Sequence, residues 1–308
     1  MSLKIRILGC HSAMPRVNAN ATSQVVEIGN HHFLVDCAEG TQLELQRNNI
    51  KFSQIDCVFI SHLHGDHLFG LMGLLCSMHL LGRTKPFHIY APEGVKNIVS
   101  VHEQVTQQYF SRFPIEHHVL SSDQSELIFS DDKVDVYTIP LKHRLYVNGF
   151  LFREKPGKRR LNMPLIQKMD INPEYYRHII AGRNYTDETG NTINNSELTL
   201  DPPKPLSYAF CTDTRYQPEI IPLIKNTDLL YHESNFLKAD EERAYKTNHT
   251  TTHQAATIAR EAHAGTLILG HYSARYKDLE AFRQEAQEIF PNVELAQDGK
   301  VFEIKRKR

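Results

Sequence analysis

At 308 residues, the chain can form two domains or one large layered domain with an insertion, and 41% hydrophobic against 23% charged residues excludes disorder, collagen and coiled coil as overall descriptions. Lys+Arg 35 against Asp+Glu 36 gives a net charge of -1 with histidine neutral, so a nucleic-acid partner must be met by a local patch. Five scattered cysteines (Cys10, Cys37, Cys57, Cys76, Cys211) contain no Cys-x-x-Cys pair. That argues against a disulfide framework and a thiolate zinc site, and it fits a reducing cytoplasm. The opening MSLKIRILG alternates like a strand and lacks the apolar run of a signal peptide, and no stretch approaches the roughly 20 apolar residues of a membrane span. Histidine is the abnormal count, at 18.

In chain order, apolar runs bounded by turn residues predict strands at Leu3 to Leu8, Gln24 to Ile28, His32 to Val35, Asp56 to Ile60 and Phe87 to Tyr90. Helical patterns fall at Thr41 to Asn48, Leu68 to Leu81 and Val95 to Gln108. The second half repeats the theme, with strands at Lys133 to Ile139, Leu206 to Cys211, Asp228 to His232 and Thr266 to Leu269. Its helices fall near Thr252 to His263 and Asp278 to Ile289. Two similar halves predict an α/β sandwich of sheets with helices outside. Residues 153–204 break the pattern with five prolines and one short helical candidate, Glu174 to Ile180, and read as an excursion from the body.

The sharpest chemical feature is Ser61-His62-Leu63-His64-Gly65-Asp66-His67, directly after the apolar strand ending at Ile60. Extended chain alternates sides, so His62 and His64 point the same way, Gly65 permits a turn, and Asp66 and His67 open the next helix. Imidazoles and a carboxylate without thiolate suit zinc or manganese. His143, Asp213 and His271 each follow a later apolar strand, at the kind of strand end where open α/β architectures place their sites. Together these are five histidines and two aspartates, enough for two metals with one shared carboxylate.

These residues resemble the metallo-β-lactamase superfamily, whose H-x-H-x-D-H motif is similar to His62 to His67, and within it the ribonuclease Z family of tRNA 3′-processing endonucleases. The resemblance extends to Phe210-Cys211-Thr212-Asp213-Thr214, His232-Glu233-Ser234-Asn235-Phe236, Asn248-His249-Thr250-Thr251 and His271-Tyr272-Ser273-Ala274-Arg275-Tyr276. It covers nearly the whole chain. Two segments depart from the family pattern: the loop Pro15-Arg16-Val17-Asn18-Ala19-Asn20 replaces P-x-K-x-R-N, and the excursion lacks a Gly-Pro signature, having Asn172-Pro173.

The resemblance implies a four-layer αββα metallo-β-lactamase fold over residues 1–308, with 153–204 an inserted flexible arm that grips tRNA. It implies two Zn2+ per subunit, with Mn2+ an alternative. One ion falls to His62, His64 and His143, the other to Asp66, His67 and His271, with Asp213 bridging. Such a pair would turn a bridging water into hydroxide near neutral pH and clamp the phosphate. Removal of the 3′ trailer from precursor tRNA would then leave a 3′-hydroxyl on the tRNA and a 5′-phosphate on the trailer. His249 is expected to protonate the departing oxygen, oriented by Glu233. His232 supports the site or is a buried core histidine, and Arg275 and Tyr276 contact phosphate or brace the site. The family precedent also implies a homodimer in which one subunit's arm serves the other's site, while the cysteines and the lack of an apolar span point to a cytoplasmic setting with no membrane partner.

In the arm, Arg153, Lys155, Lys158, Arg159 and Arg160 against Glu154 give a local charge of +4, suited to phosphate. Tyr175, Tyr176, Arg177 and Arg183 could add stacking and phosphate contacts. The terminal Lys305-Arg306-Lys307-Arg308 reads as a second phosphate contact or a solvated tail. Two rivals follow: a hydrolase of small phosphodiesters or arylsulfates on the same scaffold, which has no use for a basic arm, and a non-catalytic RNA-binding subunit, whose signature would be lost ligands.

Overall fold

Polar and apolar residues alternate along β1 (Ser2–Gly9), so that Leu3, Ile5 and Ile7 enter one buried cluster while Leu8 enters another on the opposite face. The strand therefore divides two cores. The computed structural model describes residues 2–306, so Lys307 and Arg308 of the terminal basic run lie outside the described residues. After β1 come β2 (Ser23–Ile28), β3 (His31–Val35), α1 (Thr41–Arg47), β4 (Ile55–Phe59), α2 (Gly65–Leu68) and α3 (Gly70–Leu80). Then follow β5 (Phe87–Ala91), α4 (Gly94–Thr106), β6 (Ile115–Val119), β7 (Leu127–Ser130), β8 (Val134–Pro140) and β9 (Asn148–Glu154).

Residues Glu154–Pro205 form a separate unit with its own small core of Ile166, Ile171, Ile179, Ile193 and Leu198. Within it β10 (Arg160–Leu161) pairs with β13 (Thr199–Leu200) and β11 (Tyr185–Thr186) with β12 (Thr192–Ile193). Its helices are α5 (Met163–Lys168), α6 (Tyr176–Ile180), which falls inside the predicted 174–180 segment, and α7 (Asn195–Leu198).

The body resumes with β14 (Ser207–Cys211), β15 (Leu229–Glu233), α8 (Glu241–Thr247), α9 (Thr252–Glu261), β16 (Thr266–Gly270), α10 (Glu280–Gln287), β17 (Val293–Leu295) and β18 (Val301–Lys305). Two seven-stranded sheets result, in the orders β18-β1-β2-β3-β4-β5-β6 and β17-β16-β15-β14-β9-β8-β7. Their inner faces share an aromatic core, with Phe33 against Phe152 and Phe59 against Phe150 at ring separations of 5.6 and 5.4 Å. Each such buried ring stabilises the sandwich by about 1.5–3 kcal/mol. Helices α1, α3 and α4 cover the first sheet through Leu45, Leu71, Leu75 and Val95, and α9 and α10 pack on strands β15 to β17 of the second. The layers run helix, sheet, sheet, helix, as the αββα reading expected.

Strands β6, β7, β9, β17 and β18 are not among the predicted ones, and two details around Gly65 to Leu80 also differ from the sequence reading. The helix expected from Leu68 breaks at Phe69 into α2 and α3, where Gly70 N donates to the Cys37 carbonyl at 2.9 Å instead of to the preceding turn, an approach so close that a Cβ on Gly70 would lie 1.9 Å from the Ala38 carbonyl oxygen. Gly65 starts α2 without a positive φ, so the turning freedom expected of it is not used.

Candidate metal centre

Strand ends deliver the functional side chains from one kind of place. β4 ends at Phe59 and the His62 to His67 segment follows, with Asp66 and His67 in the first turn of α2. β8 leads to His143, β14 to Asp213, and β16 to His271, while Glu233 ends β15. Asp36, just past β3, as well as Asp213 and His271, hold φ of 56°, 45° and 59°, a left-handed conformation costly for residues with a Cβ. Strain concentrated at three buried strand-end positions marks a site that the surrounding structure over-determines.

The seven expected ligands converge. His62, His64, His143 and Asp213 place one donor atom each within 4.8 Å of one another, and Asp66, His67 and His271 do the same. Asp213 joins the two groups: its Oδ2 lies 3.5 Å from His62 Nε2, and its Oδ1 lies 3.2 Å from His67 Nε2 and 3.0 Å from His271 Nε2. Asp66 Oδ2 stands 3.5 and 3.6 Å from the same two imidazoles.

The far nitrogens of four rings are anchored. Ser61 Oγ lies 3.0 Å from His62 Nδ1, the Asp36 carboxylate accepts from His67 Nδ1 at 2.7 Å, the Asn248 carbonyl accepts from His143 Nδ1 at 3.0 Å, and the Asn235 amide pairs with His271 Nδ1 at 3.1 Å. Such contacts fix the plane of each ring, and at His62, His67 and His143 an acceptor on Nδ1 is the arrangement that orients imidazole ligands. Sequence reasoning missed Asp36, Ser61, Asn235 and Asn248 in these roles. Asp36 is fully buried and also accepts from Ser61 N at 2.7 Å and Ser61 Oγ at 3.0 Å.

The donor set fits a pair of divalent cations. The Nε2 atoms of His67 and His271 are buried without a hydrogen-bond partner, though carboxylate oxygens lie close by. Burial holds His62 and His143 below the usual imidazole range, in the neutral form that ligates. Burial also opposes charge on His67, yet Asp213, Asp36 and Asp66 outweigh it and push its pKa up, so in the metal-free chain a proton supplies the positive charge that the carboxylates require. Burial likewise disfavours the Asp213 carboxylate, but His271, His67 and His62 keep it well below the carboxylate range.

Beside this cluster, His249 Nδ1 donates to Glu233 Oε1 at 2.9 Å, and its ring lies 5.2 and 5.4 Å from those of His143 and His271. Glu233 is fully buried and also accepts from Thr214 N at 2.7 Å and Thr250 N at 3.2 Å, which fixes its carboxylate. Burial disfavours charge on His249, but the Glu233 carboxylate and its hydrogen bond prevail and raise the pKa to about 9.

His232 is buried, its Nδ1 donates to the Glu233 carbonyl at 2.8 Å, and it stands in none of the donor groups. Tyr276 braces the site's surroundings through its hydroxyl, which donates to Asp240 and accepts from Leu237 N, while Arg275 is exposed. Ahead of the divergent loop the Cys10 carbonyl accepts from His271 N at 2.8 Å, and from the loop itself Arg16 donates to the Tyr276 carbonyl at 3.4 Å. In the basic stretch Arg153, Lys158 and Arg160 are exposed and Lys155 is half-buried. Arg159 is already engaged, by Asp201 and by Thr199 Oγ1 at 2.6 Å, so part of the local charge is neutralised within the arm.

A family profile described as Anti-Pycsar protein Apyc1 matches residues 3–123. Ribonuclease Z of Porphyromonas gingivalis is 40% identical over 291 residues, 94% of this chain and 95% of that protein. Ribonuclease Z of Cytophaga hutchinsonii is 41% identical over 305 residues, 99% of this chain and 97% of that protein. Human tRNase Z, short form, superposes with a TM-score of 0.70 at 25% identity, covering 97% of this chain and 98% of that one. The metallo-β-lactamase fold protein YhfI from Bacillus subtilis superposes at 0.69 with 19% identity, covering 98% of this chain and 100% of that one, a likeness of fold. Identity near 40% sustained along almost the full length of both partners exceeds what a shared scaffold alone explains; the chain belongs to the ribonuclease Z family.

Proposed function

We propose that this chain is a metal-dependent endoribonuclease that removes the 3′ trailer from precursor tRNA, leaving a 3′-hydroxyl on the tRNA and a 5′-phosphate on the trailer. The observation that carries the reading is the gathering of His62, His64, His143, Asp66, His67, His271 and the shared Asp213 around two adjoining donor groups, with the His249–Glu233 pair alongside. The first three would hold one ion, the next three the other, and Asp213 both; nitrogen and oxygen donors without thiolate suit Zn2+, with Mn2+ next. When bound, two divalent ions lower the pKa of a water between them and neutralise phosphate charge.

The remaining work falls to the chain's own groups. His249 keeps its proton at neutral pH because Glu233 stabilises the imidazolium, and with Nδ1 committed to Glu233, Nε2 is the atom that hands a proton to the departing 3′-oxygen. Glu233 cannot swing away, since backbone N–H groups from Thr214 and Thr250 hold the same carboxylate.

The arm, 153–204, supplies the tRNA grip in this reading. Arg153, Lys155, Lys158 and Arg160 carry the phosphate contacts, and Arg159 spends its guanidinium on Asp201 and Thr199. A homodimer is supported by apolar side chains left in solvent on α3 and α4, including Leu80 and Val105 at 75% and 77% exposure. A cytoplasmic setting is supported by five unbridged cysteines. Among the described residues no helix is long and apolar enough to cross a membrane.

The test is to incubate purified protein with a 3′-extended precursor tRNA, with and without chelator, and to map the product ends. The expected result is one chelator-sensitive cut at the acceptor stem. Ragged ends, or a cut that survives chelation, would overturn the assignment.

A further inference from the structure

Far along the first sheet from the strand order's other end, the pairing of β5 with β6 builds a second cluster of nitrogen and oxygen donors. The two strands run parallel with His88 opposite Glu116 and Tyr90 opposite His118. Residues two apart on a strand share a face, so His88, Tyr90, Glu116 and His118 all project to one side. His88 Nδ1 lies 3.1 Å from His118 Nε2 and 3.2 Å from Glu116 Oε2, and one donor from each of the three falls within 4.8 Å of the others. Bonds of about 2.0–2.2 Å to a tetrahedral ion separate its ligands by about 3.3 Å, so both measured edges already have the length that coordination requires.

We infer that His88, Glu116 and His118 form a third metal site, separate from the centre at His62 to His271, that takes a borderline divalent transition ion such as Zn2+, with water completing its shell. Two imidazoles and one carboxylate suit zinc, cobalt, nickel or copper and disfavour magnesium or calcium, which prefer all-oxygen shells. The donors stand on paired strands rather than on a loop, so the backbone hydrogen bonds between β5 and β6 fix their spacing in advance. The Tyr90 ring stacks on His118 at 4.2 Å with planes 10° apart, which holds that imidazole in one plane. The His88 and Glu116 side chains are 32% and 48% exposed, so the ion has an entry path and room for water ligands. β6 is the last strand of its sheet, and the ion would tie this edge to its neighbour.

The test compares the full-length wild type with His88→Gln and Glu116→Gln, none of which touches the catalytic machinery. Each protein is equilibrated with Zn2+ against a competing chelator of micromolar affinity, and bound zinc is counted per chain by elemental analysis. Both variants should hold one ion fewer than the wild type and cleave precursor tRNA at the same rate, and only the wild type should gain thermal stability in the step that fills the additional site. The readout is a difference between proteins, so it is independent of how many ions the catalytic centre holds. Loading with Cu2+ gives a second measurement: nitrogen splitting from two imidazoles should appear in the wild type and drop to one in His88→Gln. Equal zinc counts in all three proteins, or unchanged nitrogen splitting in His88→Gln, would overturn the site.

Discussion

Replacing Asp36 by asparagine tests whether the carboxylate behind His67 governs the metal centre. In the wild type, Asp36 accepts from His67 Nδ1 at 2.7 Å, which holds a proton on Nδ1 and directs Nε2 at Asp66 and Asp213, so that Nε2 is the atom a bound cation would take over. The same carboxylate takes Ser61 N at 2.7 Å and Ser61 Oγ at 3.0 Å. Asparagine has one oxygen for these donors. If that oxygen keeps Ser61 N, the NH2 faces His67 Nδ1 and favours the opposite tautomer, with the proton on the atom that should bind metal. Loss of such a partner typically weakens metal binding about 10–100-fold, or about 1.4–2.7 kcal/mol. We expect Asp36→Asn to release metal to a competing chelator within that range, and its trailer cleavage to recover toward wild type as metal is added in excess, with little change in KM for the tRNA. Near-wild-type metal affinity with intact folding would refute the orienting role, and so would a cleavage defect that excess metal does not relieve.

His249→Ala should lower turnover by about 10²–10⁴ while metal content stays at the wild-type value; parallel loss of metal would make His249 a ligand instead of an acid. Deleting residues 155–200 should abolish precursor tRNA cleavage and spare hydrolysis of a small phosphodiester, whereas equal loss on both substrates would make the arm structural. Burial opposes the Asp131 carboxylate, but His31 Nε2 at 2.7 Å and the N–H groups of Lys133 and Val134 lower its pKa. A carboxyl lowered on folding stabilises the native state above its unfolded value of about 3.9, and that contribution disappears as pH drops through the folded value. The stability gap between wild type and Asp131→Asn in urea should therefore be full at pH 7 and narrow below about pH 4; a gap that does not change with pH would reject the pairing.

The sequence made the candidate ligands visible because each is a metal-type side chain at the end of an apolar run, a local pattern. What fixes those ligands was hidden, because it arises from pairing between distant strands. Asp36 reads as one acid in Val35-Asp36-Cys37, an ordinary turn. It becomes the partner of His67 only because β3 runs parallel to β4, with Asp36 N donating to the Phe59 carbonyl at 2.8 Å. Asn248 contributes a backbone carbonyl, which no side-chain pattern can announce. The strand at Ile115-Glu116-His117-His118-Val119 went unpredicted for a related reason: it is an edge strand with polar residues in its middle, so the apolar signal is weak. In the arm, the isoleucines that form its small core are separated by Asn, Gly and Pro, and the periodicity that announces a buried face is lost.

The balance of charges at the centre ties metal binding to folding. Asp36, Asp66 and Asp213 stand around His67 and His271 with little solvent, and burying three carboxylates without compensating charge would cost several kcal/mol each. In the metal-free chain the compensation comes from a protonated His67, but an imidazolium offers no lone pair, so cation binding must displace that proton. Of these carboxylates, Asp66 and Asp213 also stand in the donor groups, so the place where the proton sits is the place a cation would occupy. Metal affinity should consequently rise with pH as the competing proton leaves, and metal should stabilise the native chain by mass action, since the unfolded chain has no converged donor set.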